Sequence, residues 1–210
     1  MMHSNSKELN ANSQGNKMKK FELVAELSKE FFGRKFFRIR ALISFSNISK
    51  GDLGGWVEKE ECVDQSGDAW VYGDAWVYGD AQVSGDAQVS GNARVSGNAR
   101  VSGNARVSGN AQVSGNARVS GNAQVSGDAQ VSGVAHHITV SPIGSEGGCL
   151  TAFRQKDNSI IVRRGCFSGS LEEFEAAVNA THGDSKYAEQ YKIVIALIKS
   201  RLEDVEQSND

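Results

Sequence analysis

The chain has 210 residues, with 23 lysines and arginines against 25 aspartates and glutamates, a formal net charge of −2. That is enough for one domain or two small ones, and the balance argues against a general nucleic-acid binder. Cys62, Cys149 and Cys166 lie scattered with no CxxC spacing, and neither a signal peptide nor a bilayer-length apolar run is present, which suggests reduced thiols in a cytoplasm rather than a disulfide scaffold or a membrane protein.

Residues 1–17 are polar and aperiodic and read as a disordered leader. Residues 18–54 turn apolar and aromatic. The segment from Phe21 suits either a short amphipathic helix, with Phe21, Val24, Leu27 and Phe31 on one face, or a strand ending at Gly33-Arg34. The return segment alternates, Phe37, Ile39 and Ala41 against Arg38 and Arg40, which is a strand pattern. The reading adopted is a β-hairpin, Phe21–Leu27 with Lys35–Ile43, serving as a cap.

Residues 55–140 are assigned to the solenoid. Its lead-in, GDLGGWVEKEECVDQSG, is irregular: Val57 and Val63 are six apart, and two extra residues reset the phase before Val71. From Gly67 to Gly133 the sequence then repeats G-[DN]-A-x-V-x, with Gly at every sixth position. Ala and Val are two apart in each copy and so share one side of an extended strand, while the Gln, Arg or Trp between them points the other way. A unit this short is stable only as a rung of a stack. Gly supplies positive φ at the corners, and Asp or Asn can bond back to the corner amides. Three strands and three corners close one triangular coil.

This pattern, Val71 to Ala75, Val77 to Ala81 and onward, resembles the hexapeptide-repeat left-handed parallel β-helix. The resemblance implies the left hand, which periodicity alone does not give. It implies little about chemistry, since acyltransferases, carbonic anhydrases and non-enzymes share the coil. Both open ends of such a stack need caps.

Function is sought at the outward positions. Trp70 and Trp76, flanked by Tyr72 and Tyr78, are bare on an isolated coil and are expected to be covered by the N-terminal hairpin, by a second subunit or by a ligand. Arg94, Arg100, Arg106 and Arg118 hold the same outward position further along. Arg100 and Arg118 are expected one coil apart on one face, with Arg94, Arg100 and Arg106 on three different faces. The intervening Gln residues are expected to bond along the stack. If three subunits packed side by side, a cleft of such arginines could accept phosphate or carboxylate.

After Gly133 the period fails at His136 and His137. These are the only catalytic candidates, as general bases for acyl transfer. They are adjacent, hence divergent, with no Asp or Glu within five residues. No metal-ligand spacing or cofactor motif is evident. Residues 141–210 form a C-terminal α/β cap or oligomerisation region. A β-hairpin over 149–164 turns at Lys156-Asp157-Asn158, with Phe153 and Ile161 inward. A first helix opens on the capping box Ser170/Glu173 and ends at Gly183. A second, capped by Asp184, runs to about Glu203 with Tyr187, Tyr191, Val194, Ile195, Ile198 and Leu202 as its apolar stripe.

The flanks, RIRAL, GDLGGWVE, LTAFR, GCFSGSLEEFEAAV and THGDSKYAEQY, resemble uncharacterised phage and prophage hexapeptide-repeat proteins of Gram-negative bacteria. The resemblance implies a bacterial cytoplasm and an accessory role. The expectation is therefore a non-enzymatic, homo-oligomeric binding or scaffold protein, a trimer in the side-by-side arrangement, for a host protein or a small anionic ligand. The alternative is an acyltransferase with an interface active site.

Overall fold

The computed structural model describes residues 19–31, 33–133 and 135–202. The leader assigned to residues 1–17 lies outside them. The chain begins with an antiparallel hairpin, β1 (Phe21–Phe31) and β2 (Arg34–Ala41), so the strand reading holds over the helical one. A third strand, β3 (Leu53–Val57), pairs antiparallel with β2 on one edge and parallel with β5 (Trp76–Val77) on the other. The hairpin is thus stitched directly onto the solenoid.

The solenoid has three faces. One stacks β3, β5, β8 (Arg94–Val95), β11 (Gln112–Val113) and β14 (Gln130–Val131). The second stacks β6 (Gln82–Val83), β9 (Arg100–Val101) and β12 (Arg118–Val119), and Val63 adds a bridge to Val83. The third stacks β4 (Trp70–Val71), β7 (Gln88–Val89), β10 (Arg106–Val107) and β13 (Gln124–Val125). Val57 pairs with Val77 but Val71 with Val89, so the first coil carries the two extra residues read from the sequence. Every Val and Ala of the repeat is buried at 0–1% exposure. Burying one Val side chain contributes about 1.5–3 kcal/mol. The interior is therefore a column of small, identical increments.

Each corner glycine sits at positive φ, 56° to 72° from Gly67 to Gly127. At Gly85 a second reason adds to the first: a Cβ there would stand 3.0 Å from the Gly103 nitrogen, one coil on. The following residue closes the contact, as Asp86 N donates to Gly103 O at 2.9 Å. Beside the glycines run ladders of Asn, not of the Gln expected. Asn92 Nδ2 donates to Asn110 Oδ1 at 3.3 Å, and Asn110 Nδ2 to Asp128 Oδ1 at 3.0 Å. Asn98 and Asn104 donate likewise to Asn116 and Asn122. The short corner side chains are held by the turn, whereas the Gln side chains mostly neighbour Arg or Trp in register, and only Gln112 and Gln130 are paired with each other.

An amide both donates and accepts, so Asn fits inside a ladder, while a carboxylate fits only where nothing need be donated. Donation runs up the stack, so the carboxylate that fits as a closing acceptor is Asp128; Asp68, Asp74 and Asp80 stand at the other end, where they cannot donate onward, and the N-terminal part of the chain supplies a cation to each. Arg38 lies 3.9 Å from Asp74 and Lys59 2.8 Å from Asp80. The single Asp-over-Asp step, Asp68 beneath Asp86, falls in the field of Lys20.

Both ends are closed. In this stack the amide of one coil donates to a carbonyl of the next, as Trp70 N does to Ala87 O. The first coil is left with spare acceptors and the last with spare donors. Lys20 Nζ donates to Ala69 O at 2.8 Å and Gly67 O at 3.2 Å. Trp70 is sealed under Phe21 and Phe45, with ring centroids 6.2 and 5.4 Å away. At the far end Thr151 Oγ1 accepts from Gln124 N at 3.2 Å, and Phe153 plugs the column at 0% exposure.

The solenoid stops earlier than position 140. Its last parallel strand is β14, and β15 (His137–Ile143) instead begins a four-stranded antiparallel sheet with β16 (Gly148–Arg154), β17 (Ile160–Arg164) and β18 (Phe167–Ser170). The glycine corners end with the period, and with them the parallel stack. The expected C-terminal hairpin is the centre of this sheet. Helix α1 (Leu171–His182) opens on the Ser170/Glu173 capping box and ends at Gly183. Helix α2 (Lys186–Leu202) is capped by Ser185, whose Oγ accepts from Ala188 N at 3.4 Å, rather than by Asp184. The expected stripe is buried from Tyr191 to Leu202, with Ala188 added, while Tyr187 is only partly covered.

Two predictions follow from the packing. Val101→Asp puts a charge where water cannot reach and should cost about 4 kcal/mol or more, read as loss of the native far-ultraviolet spectrum or insolubility. Asn110→Asp removes a donor and stacks a carboxylate on Asp128, so its melting temperature should fall, with partial recovery at high salt. Asn116→Asp, where the residue only accepts, should melt close to wild type.

Candidate functional site

The outward residues of each face align in rows, because every coil repeats the same register. On the first face the row runs Trp56, Trp76, Arg94, Gln112, Gln130. Trp76 therefore lies directly beside Arg94 across β5 and β8. Trp56 stacks on Trp76 at 5.7 Å and 26°. The N-terminal hairpin brings Phe36 against Trp76 at 4.6 Å and against Tyr78 at 5.6 Å, both edge-on, and Phe31 against Trp76 at 5.6 Å. Phe31, Arg34, Phe36, Trp76, Tyr78 and Arg94 enclose a small hollow of about 80 Å³.

Its two guanidinium groups differ. Arg34 Nη1 lies 2.9 Å from each oxygen of Glu58, and Glu58 Oε2 also accepts from Gly79 N at 2.7 Å. Arg94 is in no ion pair within 4.0 Å among the described residues. The hollow thus joins an aromatic wall to one uncompensated cation. Sequence reasoning selected Trp76 and Arg94 and not the partners Phe31, Arg34 and Phe36, which reach the site only through the hairpin's docking. The doubled phenylalanines on either side of the Gly33-Arg34 turn were the available signal.

The other candidates are dispersed. Trp70 is 1% exposed, covered by Phe21 and Phe45 at the start of the third face, so it is a core anchor and not a binding residue. The cover expected over the tryptophans is the N-terminal hairpin together with Phe45. Arg100 and Arg118 pair in register on the second face, and Arg106 stands between Gln88 and Gln124 on the third, all three exposed.

His136 and His137 diverge at the junction with the C-terminal sheet. His136 Nδ1 accepts from Ser132 N at 3.3 Å and lies 3.0 Å from Ser132 Oγ. It borders a polar cleft of about 270 Å³ with Gln112, Gln130, Arg154 and Asn158. The ring of His137 is mostly enclosed and its Nδ1 is buried without a hydrogen-bond partner. Burial holds both imidazoles below their ordinary pKa, aided by Arg154 at His136 and by Arg201 at His137; a bond to the Arg118 backbone opposes the shift at His137. Among the described residues no group of three or more His, Cys, Asp or Glu is placed to hold a metal ion. Burial pushes the Cys62 thiol up to about 11.

Comparison with known families places the repeats. A model described as the YdcK beta-solenoid repeat matches residues 87–101, 99–115 and 111–127. The body of the chain is a hexapeptide-repeat β-solenoid. The matches lie within the regular coils, carry Arg94, Arg100, Arg106 and Arg118 on the three faces, and stop short of both caps. No curated protein matches the chain. Among the described residues no helix is long and apolar enough to cross a membrane.

The histidines give a pH prediction. Both titrate below 6.5 when folded and near 6.5 when unfolded, so below pH 6.5 the unfolded chain binds more protons and stability falls as pH falls. Melting temperature should drop on acidification through that range. His137→Asn should flatten the drop, and an unchanged slope would contradict the assignment.

Proposed function

We propose that this chain is a non-enzymatic binding module of the phage or prophage accessory type, working as a homo-oligomer in a bacterial cytoplasm. Its ligand is a small anion with a planar apolar body, held at Trp76 and Arg94. The carrying observation is the uncompensated Arg94 guanidinium set beside Trp76 beneath Phe31 and Phe36. A guanidinium binds phosphate or carboxylate without any proton transfer, and aromatic faces bind a flat ring. A hollow of about 80 Å³ fits one such group and not an extended acyl carrier. The in-register pair Arg100 and Arg118 provides a second anionic contact on the neighbouring face. Three subunits side by side would bring such faces to a common axis.

Against acyl transfer at His136 or His137 stands their environment. The charged groups that perturb them, Arg154 at His136 and Arg201 with His136 at His137, oppose the protonated state a general base must reach. His136 also spends Nδ1 on the Ser132 turn.

Purified protein would be titrated with aryl phosphates and nucleoside monophosphates while tryptophan fluorescence is followed, with subunit number measured by light scattering. Binding should weaken about tenfold or more in Arg94→Gln, the scale of one lost charge-assisted hydrogen bond. Saturable binding indifferent to Arg94→Gln and Trp76→Leu would place the site elsewhere. Acetyl-coenzyme A turnover abolished by His136→Ala or His137→Ala, with the fold intact, would establish the enzyme reading instead.

A further inference from the structure

A second hollow lies in the C-terminal domain, between the β15–β16 turn, the end of β17, and the two helices. It has a volume of about 310 Å³ and is lined by Phe167, Phe174, Ala177, Val178 and Tyr191, with Arg164, Glu146 and His182 among its polar residues. Its walls are fixed. Phe174 meets Phe167 at 5.3 Å and Tyr191 edge-on at 5.5 Å, while His182 stacks on Tyr191 at 5.5 Å and 29°.

The informative group is Arg164. Its side chain is only 13% exposed. Nε donates to Tyr191 Oη at 3.1 Å and Nη2 to Ile143 O at 3.2 Å. The remaining N–H groups, those of Nη1 above all, face Glu146 at 3.7 Å, beyond hydrogen-bond reach, and the Glu146 side chain is itself 82% exposed. The backbone has been cleared to seat this arginine: a Cβ on Gly148 would stand 2.5 Å from Nη1, and one on Gly144 would strike the Tyr191 hydroxyl. A largely buried guanidinium is costly unless its donors are met, and an exposed carboxylate beyond hydrogen-bond reach meets them poorly.

We propose that this hollow is a binding site for a small monocarboxylate with an apolar tail. The carboxylate takes the Nη1 side of Arg164, and the tail lies along Phe167, Phe174 and Ala177. Glu146 is the displaceable stand-in: it covers Arg164 in the empty site and yields to the ligand. The site is separate from the Trp76–Arg94 hollow and does not depend on the function proposed there.

The test uses the full chain with phenylacetate and hexanoate as probes, phenylacetamide and hexanamide as neutral isosteres, titrated by calorimetry and by amide chemical-shift mapping. The acids should bind and the amides should not, with shifts centred on residues 144–148, 164–167 and 174–182. Glu146→Gln removes the competitor and should tighten the acids several-fold. Ala177→Leu fills the hollow from a half-buried helix position outside the packed core and should abolish binding while melting remains cooperative, which keeps the test valid if Arg164→Gln fails to fold. Failure of both acids to bind, equal binding of acids and amides, or binding that survives Ala177→Leu would each overturn the proposal.

Discussion

The structure depends on one contact, the glycine corner of a coil lying on the glycine corner of the next. Gly85 over Gly103 is typical: positive φ turns the chain, and the missing Cβ lets the backbones approach closely enough for Asp86 N to reach Gly103 O. With corners pinned at this separation the strands between them have no freedom of register. Val and Ala must then point inward, and Trp, Arg or Gln must align in outward rows. The aromatic wall and the arginine of the candidate site are neighbours because of that alignment. Nothing local to Trp76 or Arg94 brings them together.

The same stacking imposes a polarity that the ends have to answer. Backbone acceptors are left at the first coil and donors at the last, and the first-coil corner carboxylates Asp68, Asp74 and Asp80 cannot donate up the stack. Lys20, Arg38 and Lys59 address the first coil with cations and donors. Thr151 addresses the last with an acceptor. The two caps are therefore not interchangeable plugs, since each carries the chemistry its own end lacks.

This explains what could be read in advance. Strand, corner, inward and outward positions all follow from a six-residue period, and the capping box at Ser170 follows from local chemistry. The hand does not follow, because mirror-image coils share the same period. The burial of Trp70 was not legible from its own repeat, which looks like that of Trp76. What separates them is which face Phe21 and Phe45 land on. Nor was Arg164 distinguishable from Arg163 in sequence. One packs beneath Glu146 and Tyr191, while the other turns to Ser126 on the solenoid. The end of the solenoid was placed too late because Ile138 and Val140 continue an alternating pattern after the corners have stopped. Alternation marks a strand without saying whether it pairs parallel or antiparallel.

If corner-on-corner stacking governs the chain, the coils are exchangeable units and the caps care only about register. The direct measurement is a pair of internal deletions. Removing residues 97–114 takes out one coil, the eighteen-residue spacing seen between paired corner side chains. Removing residues 97–113 takes out one residue fewer. The first variant should remain a cooperatively melting β-protein with Trp70 still shielded from iodide. The second should turn its following valines outward and aggregate or melt without cooperativity. Equal behaviour of the two variants would contradict the account.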